Sequence, residues 1–366
     1  MRLLLLAVLF LVPGPLMTQG TPVGVKMEPI VMSPDGSHFI YQHSGKRFTP
    51  WGFNYDHDAE GRLLEDYWES EWKTVESDFR EMHDMGANVV RIHLQLGKFM
   101  NGPREPNKPA LRRLSRLLKV AEKTGLYLDL TGLGNYHRQD TPDWYASLEE
   151  QERWNVQAEF WTAVAGVGSG SPAIFCYDLM NEPLWPSKDK QTDWLAGELG
   201  GKFFCQRITL DLKNRDARKV AAAWVNKLTD AIRSGDKKHL ITLGVIPWAL
   251  TFPGAKPTFH AADIGRNLDF VSVHFYPETG KIPEAVKALK TYDIGKPLVI
   301  EEMFPLKSTI AGLDSFINAS RDIAEGYIGF YWGKPAEEYD SNQMAGIFIR
   351  AWLRYFAEKT PEILPD

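Results

Sequence analysis

The chain has 366 residues, of which 44% are hydrophobic and 24% are charged, and it carries a formal net charge of −5. This is the composition of an ordinary globular protein, and the negative charge argues against nucleic acid as a partner. The length fits either two average domains or a single barrel with insertions.

The N-terminus has the pattern of a secretory signal peptide. A charged start at Arg2 precedes an almost wholly apolar run over residues 3–12, and small residues lie near a cleavage point after Gly20. The run is shorter than the roughly 20 residues that a membrane span needs. We therefore predict a signal peptide over residues 1–20, one mature domain over 21–366, and a secreted or periplasmic monomer with no membrane contact after cleavage. An uncleaved anchor is the alternative.

A small β-hairpin is expected next, where turn-forming residues 33–37 and 44–45 flank residues 38–41. We expect this hairpin to cap one end of the main domain. Eight short apolar runs then alternate with helical patterns, which is typical of repeated βα units around a parallel sheet. The runs cover residues 51–55, 88–93, 126–131, 173–180, 240–245, 270–275, 298–302 and 328–332.

Helical apolar spacing lies between these runs and after the last of them, over residues 72–85, 111–123, 220–232, 310–324 and 344–357. Two longer stretches interrupt the rhythm. Residues 144–167 indicate a long helix preceded by an extra turn or short helix, and residues 184–214 form a polar insertion after the fourth run. Because loops after barrel strands build the active site, we expect the insertion to shape a cleft. The predicted fold is α/β: a single-domain (β/α)8 TIM barrel with a short N-terminal β-hairpin.

Polar residues collect at the predicted C-terminal ends of the strands, which is where barrel enzymes keep their chemistry. Asn181 and Glu182 follow the fourth run, and Glu301 and Glu302 end the seventh. Two carboxyls facing each other across a pocket are the equipment for cleaving glycosidic bonds. Taken alone, Asn-Glu-Pro is also a helix-start signal.

Five motifs in barrel order make the chain resemble glycoside hydrolase family 5, the cellulase and mannanase family, from about residue 26 to the C-terminal helix. They are Val89-Val90-Arg91, Asn181-Glu182-Pro183, His274-Phe275-Tyr276, Val299-Ile300-Glu301-Glu302 and Trp332. The resemblance implies a retaining double displacement, with Glu182 as acid/base and Glu302 as nucleophile.

The same resemblance assigns supporting roles around the two carboxyls. Asn181 would bind the sugar 2-hydroxyl, Arg91 and Tyr276 would donate to Glu302 and lower its pKa, His274 would lie near Glu182, and Trp332 would form the floor beneath the cleaved sugar. Structural alternatives remain for each. Arg91 could neutralise a buried carboxylate such as Asp129, His274 and Tyr276 could be satisfied core groups, and Trp332 could be plain packing.

Two points in the pattern stay open. Glu301 and Glu302 should alternate in direction, so only one can face the pocket, and the choice of Glu302 rests on the resemblance. The third strand of many family members ends in a cleft-facing His, which this chain lacks. Thr131 is the candidate for that place, with His137 or Asn135 contributing from the following loop.

The remaining candidates are aromatic residues and cysteines near strand ends. Trp185, Trp248, Tyr136 and Trp144 are candidate sugar-stacking platforms, with core packing as the alternative for each. Cys176 and Cys205 are compatible with a disulfide in an oxidising compartment, and Cys176 equally with a buried free thiol.

We therefore predict a secreted, endo-acting β-glycosidase on a β-1,4-linked polysaccharide or its oligosaccharides, glucan ahead of mannan, that requires no cofactor or metal. One alternative is a carbohydrate-binding barrel that has lost catalysis, prompted by the missing third-strand His. A metal-dependent barrel hydrolase is the other, suggested by His93, His137 and His274 with Asp129 and the two glutamates. The absence of a His-x-His or His-x-x-x-His pair argues against it.

Overall fold

The computed structural model describes residues 27–365, so the predicted signal peptide lies outside the described residues. A parallel sheet closes into a barrel of eight strands, since two of its nine segments belong to the fifth strand. Leu240–Thr242 pairs with the fourth strand and Gly244–Val245 with the sixth. The other strands are Trp51–Asn54, Val89–Gln95, Tyr127–Gly134, Ile174–Asp178, Val271–His274, Leu298–Met303 and Gly326–Gly329. The predicted (β/α)8 fold class is confirmed.

The eighth strand differs from its predicted bounds of 328–332, because it begins and ends earlier, at Gly326–Gly329. Glycines occupy both ends where the packing leaves no room for a side chain. A Cβ at Gly326 would lie 2.6 Å from Pro50, and one at Gly329 would lie 2.3 Å from Trp352. Because glycine is not counted as apolar, the start of this strand is not recognised as part of an apolar run. Trp332 lies beyond the end of the strand.

Helices surround the barrel, and the helix Lys108–Thr124 is capped at both ends. The Asn107 side chain accepts from the Ala110 backbone at one N-terminus, and Gly125 takes the left-handed conformation, φ 80°, at the same helix's C-terminus. The longer helices are Trp72–Asp84, Lys108–Thr124, Glu150–Gly168, Ala217–Gly235, Ile282–Leu289, Ile310–Ser320 and Met344–Ile363. Shorter ones are Leu64–Tyr67, Leu96–Phe99, Asp143–Ala146 and Trp248–Thr251.

An antiparallel sheet of Ile30–Met32, Phe39–Tyr41 and Arg47–Phe48 closes the N-terminal end of the barrel. The Phe39 ring meets Phe175 and Phe270 edge-on, each with centroids 5.1 Å apart. The predicted hairpin is thus present as part of a three-stranded sheet, and it caps the end opposite the strand C-termini. The C-terminal end is left for the insertion.

The insertion forms a hairpin over the C-terminal ends of the strands. Its strands are Leu195–Leu199 and Lys202–Arg207, paired antiparallel, and we call residues 195–207 the insertion hairpin. The Phe203 backbone N–H donates to the Tyr136 carbonyl (2.8 Å), and the Phe204 ring lies 6.5 Å from Phe330. The hairpin thus reaches from the end of the third strand to the end of the eighth. Within residues 27–365, no helix is long and apolar enough to cross a membrane.

Candidate active site

Six of the predicted site residues converge towards the C-terminal end of the barrel, one from within the second strand and the others from near a strand end or the turn after it. They are Arg91, Asn181, Glu182, His274, Tyr276 and Glu302. One carboxylate oxygen each of Glu182 and Glu302, with one His274 ring nitrogen, lie within 4.8 Å of one another. The fourth, sixth and seventh strands therefore deliver two carboxyls and an imidazole to one point.

Glu302 is held by two donors. Arg91 Nη1 donates to its Oε1 at 2.7 Å, and the Tyr276 hydroxyl donates to its Oε2 at 2.6 Å. Burial has the largest influence on the pKa of Glu302 and raises it above the ordinary value, while the charges of His274 and Arg91 oppose that rise. The predicted donors are thus present, and they limit the effect of burial on the pKa without reversing it.

Glu182 sits on a turn that aims its side chain at the same point. Its φ of 46° is left-handed, a conformation few residues other than glycine adopt. His274 Nδ1 lies 2.9 Å from Glu182 Oε1, and the Cys205 thiol donates to Oε2 at 3.1 Å. Burial raises the pKa of Glu182, but the hydrogen bond and charge of His274 outweigh it and the net pKa is lowered. The side chain keeps 18% exposure, so it is the more accessible carboxyl.

His274 lies among carboxylates that favour its charged form. Burial disfavours its charged form, but Glu302, Glu182 and Glu301 outweigh burial and raise the pKa of His274 to about 10. Because these groups interact strongly, the protons belong to the coupled set and not to single residues. The His274 and Glu182 pair therefore carries one proton at neutral pH.

Arg91 organises the site from below and is fully buried. Its Nη1 also donates to Asn54 Oδ1 (2.9 Å), and its Nη2 donates to Asp178 Oδ2 (2.7 Å) and Asn181 Oδ1 (2.9 Å). The Asn181 Nδ2 donates in turn to the Phe204 carbonyl of the insertion hairpin (2.9 Å). These two hydrogen bonds fix the orientation of the Asn181 carboxamide. The Arg91 guanidinium that holds it also holds the carboxylates of Asp178 and Glu302.

The residues proposed for the place of the third-strand His have other partners. Thr131 is buried and donates to Asp178 Oδ2 (2.9 Å), and Asn135 donates to Gln206 Oε1 of the insertion hairpin (3.0 Å). His137 lies 3.3 Å from Asp140 on the following turn. The insertion hairpin, packed on the third strand, brings Cys205 to the carboxyl pair in this region.

The aromatic candidates divide by burial. Trp332 is fully buried, with its ring 5.7 Å from Tyr55. Trp185 is half-buried against Phe259. Trp248 is half-buried and stacks on the exposed Phe252, with centroids 6.0 Å apart. Trp248 and Phe252 therefore present a more exposed aromatic surface than Trp185 or Trp332.

Two other stacking candidates are packed against protein groups. Tyr136 is fully buried, and its hydroxyl pairs with His93 Nδ1. Trp144 is half-buried against Tyr145.

The three histidines of the metal hypothesis do not share a site. His93 Nε2 faces Asn54 Oδ1 at 3.1 Å, His137 stands beside Asp140, and His274 lies between the carboxyls. The group with donor atoms close enough for a cation is Glu182, His274 and Glu302. The structure thus places one histidine, not three, with the carboxyl pair.

Cys205 and Asn54 are contacts that the sequence did not suggest. Both cysteines are free thiols: Cys176 lies within the fourth strand, while Cys205 belongs to the insertion hairpin and bonds Glu182. The disulfide that the sequence left open is therefore not formed. Asn54 ends the first strand, a position that could have flagged it, whereas Cys205 carries no local pattern.

Comparisons with known proteins agree with this architecture. A family model described as cellulase (glycosyl hydrolase family 5) matches residues 43–303. Mannan endo-1,4-β-mannosidase A of Podospora anserina is 28% identical over 218 residues, which is 52% of this chain and 50% of the relative. This chain therefore spans half the length of that curated relative.

Solved structures share the fold. An exo-β-1,4-mannosidase from Opitutaceae bacterium strain TAV5 aligns with a TM-score of 0.63 at 17% identity, covering 91% of this chain and 63% of the other. A β-1,4-mannanase from the sea hare Aplysia kurodai aligns with a TM-score of 0.60 at 17% identity, covering 91% and 97%. At these identities the likeness concerns the fold alone.

Proposed function

The chain belongs to glycosyl hydrolase family 5, and from this premise we propose that it is a retaining, endo-acting β-glycosidase on β-1,4-linked mannan. From sequence alone we expected glucan ahead of mannan. Mannan now comes first because the Podospora relative is named as a mannan endo-1,4-β-mannosidase. The substrate would be the polysaccharide or its oligosaccharides. Secretion, with residues 1–20 as the signal, and the monomeric state stay predictions.

The spacing of the two carboxyls is the observation that carries the proposal. One oxygen of Glu182 and one of Glu302 lie within 4.8 Å. Retaining glycosidases hold their carboxyls about 5 Å apart, whereas inverting enzymes need about 6.5–9.5 Å to admit a water molecule. The observed spacing therefore supports a double displacement.

In the first step, Glu302 attacks the anomeric carbon while Glu182 gives its proton to the leaving oxygen, and a glycosyl ester forms on Glu302. Arg91 and Tyr276 hold the attacking carboxylate in place. In the second step, Glu182 takes a proton from water, and the water oxygen displaces Glu302 at the same carbon. Two inversions leave the product in its original β-configuration.

Asn181 and His274 support these steps. The Asn181 carboxamide, fixed by Arg91 and the Phe204 carbonyl, is placed to bind the 2-hydroxyl, a contact that strengthens in the transition state. His274 shares one proton with Glu182. The pair can therefore present the acid for the first step and the carboxylate for the second.

A substrate panel tests the function. Purified protein should release reducing ends from β-1,4-mannan faster than from β-1,4-glucan or xylan, and proton NMR should detect the β-anomer before mutarotation. Binding without cleavage would favour a barrel that has lost catalysis. Cleavage with the α-anomer as first product would reject the retaining mechanism.

We expect a bell-shaped pH profile of kcat/KM whose optimum includes neutral pH, because the pKa of Glu302 lies below neutral and that of His274 above it. As pH falls, Glu302 gains a proton and loses its nucleophilic form. As pH rises, the Glu182 and His274 pair loses the proton that the leaving group requires. The rate should survive a strong chelator unchanged. A rate that climbs steadily into alkaline pH would indicate a metal-bound hydroxide or another base.

Replacing Cys205 with alanine should move the alkaline limb of that profile to higher pH. The thiol donates to Glu182, and a donor to the charged form lowers a carboxyl's pKa, so its removal raises the pKa of Glu182. Cys205→Ser keeps a donor and should leave the limb near its original position. Cys176→Ala removes the other buried thiol and should not move it. If the alkaline limb of Cys205→Ala lay at the same pH as that of the wild type, the expectation would be contradicted.

A further inference from the structure

A second ionic group lies inside the barrel, beneath the two carboxyls of the proposed active site. Glu301 Oε2 stands 3.5 Å from His274 Nε2 and 3.7 Å from Arg91 Nη2. Glu301, Arg91 and the neighbouring Asp129 have no exposed surface, and His274 has 1%. An ionised carboxylate is costly to bury unless opposite charges face it. Glu301 takes part in neither step of the proposed double displacement.

His274 is held between two carboxyls, one on each ring nitrogen. Nδ1 lies 2.9 Å from Glu182 Oε1 in the open site, while Nε2 lies 3.5 Å from Glu301 Oε2 in the barrel interior. A group on the far nitrogen of an imidazole sets its orientation and its protonation at the near nitrogen. The ring therefore connects the buried carboxylate to the candidate acid.

Gly244 of the fifth strand makes this approach feasible. A Cβ at this position would lie 2.4 Å from Glu301 Oε2, 2.7 Å from His274 Nε2 and 3.1 Å from Arg91 Nη2. Any side chain would thus occupy the space where the three groups meet. The fold leaves that space to the carboxylate, the imidazole and the guanidinium.

The charges within the group are unequal. Burial and the charge of Glu301 raise the pKa of Asp129 well above its ordinary value, which favours its neutral form. Burial opposes ionisation of Glu301 too, but Arg91 and His274 lower its pKa to about 2. The other groups close enough to influence or respond to Glu301 are Cys176, Asp178, His93 and His260. Those facing His274 on the open side are Glu182 and Glu302.

We propose that Glu301 is a positioning residue: from inside the barrel it holds His274 oriented and charged, and through His274 it sets the pH at which Glu182 loses its proton supply. The inference rests on the proposed glycosidase function for its kinetic consequence. Its structural consequence, the protonation of His274, can be measured without any substrate.

The matched pair of variants is Glu301→Gln and Asp129→Asn. Glu301→Gln removes a negative charge beside Nε2, so the His274 pKa should fall by about 1 to 3 pH units, measured by NMR titration of the ring nitrogens. The alkaline limb of kcat/KM should move down with it. Asp129→Asn leaves the Glu301 carboxylate in place and keeps a side-chain donor next to it, so both should stay close to their wild-type values. Glu301→Asp keeps the negative charge but moves it away from His274, so the His274 pKa should fall by less than in Glu301→Gln.

The outcomes separate this inference from the proposed function. An unchanged His274 titration in folded Glu301→Gln would overturn the positioning role, whatever the activity. If Glu301→Gln does not fold, Glu301→Asp takes its place: a titration equal to wild type overturns the role, and a lowered pKa supports it. A wild-type protein that cleaves none of the panel would reject the glycosidase proposal, while the titration still decides the role of Glu301.

Discussion

Glu302→Ala is expected to lower kcat on mannan by at least about 10⁴-fold while leaving the fold intact, as the removal of a covalent nucleophile does. The Glu302 carboxylate accepts hydrogen bonds from Arg91 and Tyr276. Among the described residues, no other carboxylate accepts from both donors and also borders the partly open site. Steady-state kinetics on mannan, with circular dichroism as a check of folding, measures the loss.

Azide distinguishes loss of the nucleophile from general damage. With an activated aryl glycoside, azide fills the space of the missing carboxylate and attacks from the same face, so cleavage should return with an α-configured glycosyl azide as product. Glu301→Gln is the control and should cost far less near the pH optimum. If Glu301→Gln were inactive while Glu302→Ala stayed active, the nucleophile would be Glu301 instead. The barrel fold and the double displacement would be unaffected by that result.

The two adjacent glutamates show how far sequence patterns carry in a barrel. Strict alternation predicts that one faces the pocket and its neighbour faces away. In the structure both are buried on the inner side, Glu302 towards the opening and Glu301 below it, and both approach Arg91. The pairing of the seventh and eighth strands shifts register between Ile300 and Met303. Such an irregularity re-aims side chains, and local periodicity carries no sign of it.

The predicted residues that the structure brings together are those whose motifs lie on a strand or directly after one. Arg91, Asn181 and His274 each belong to a short motif whose place in the βα order sets its height in the barrel. Cys205 lies in an irregular insertion, and its contact with Glu182 depends on how the insertion hairpin folds back over the strands. That contact is made by tertiary packing, so periodicity could not foretell it.

Glu182→Ala is expected to lose activity selectively. Natural mannan has a poor leaving group that needs a proton, so kcat should fall by about 10²- to 10⁴-fold, the usual worth of general acid catalysis. An aryl glycoside with an acidic phenol leaves without that proton, so its glycosyl ester should still form on Glu302. The second step then lacks its base, and a burst of phenol followed by slow turnover is expected in stopped-flow absorbance.

Azide again gives the decisive product. It needs no base, so in Glu182→Ala it should attack the glycosyl ester from the side that Glu182 normally serves and yield a β-configured glycosyl azide, the opposite of the product from Glu302→Ala. His274 loses one of its carboxyl partners in this variant, so its pKa should fall and the alkaline limb should disappear for the activated substrate. An α-azide from both variants would contradict the assignment of Glu182 as the acid/base, because both carboxyls would then serve the same face of the sugar.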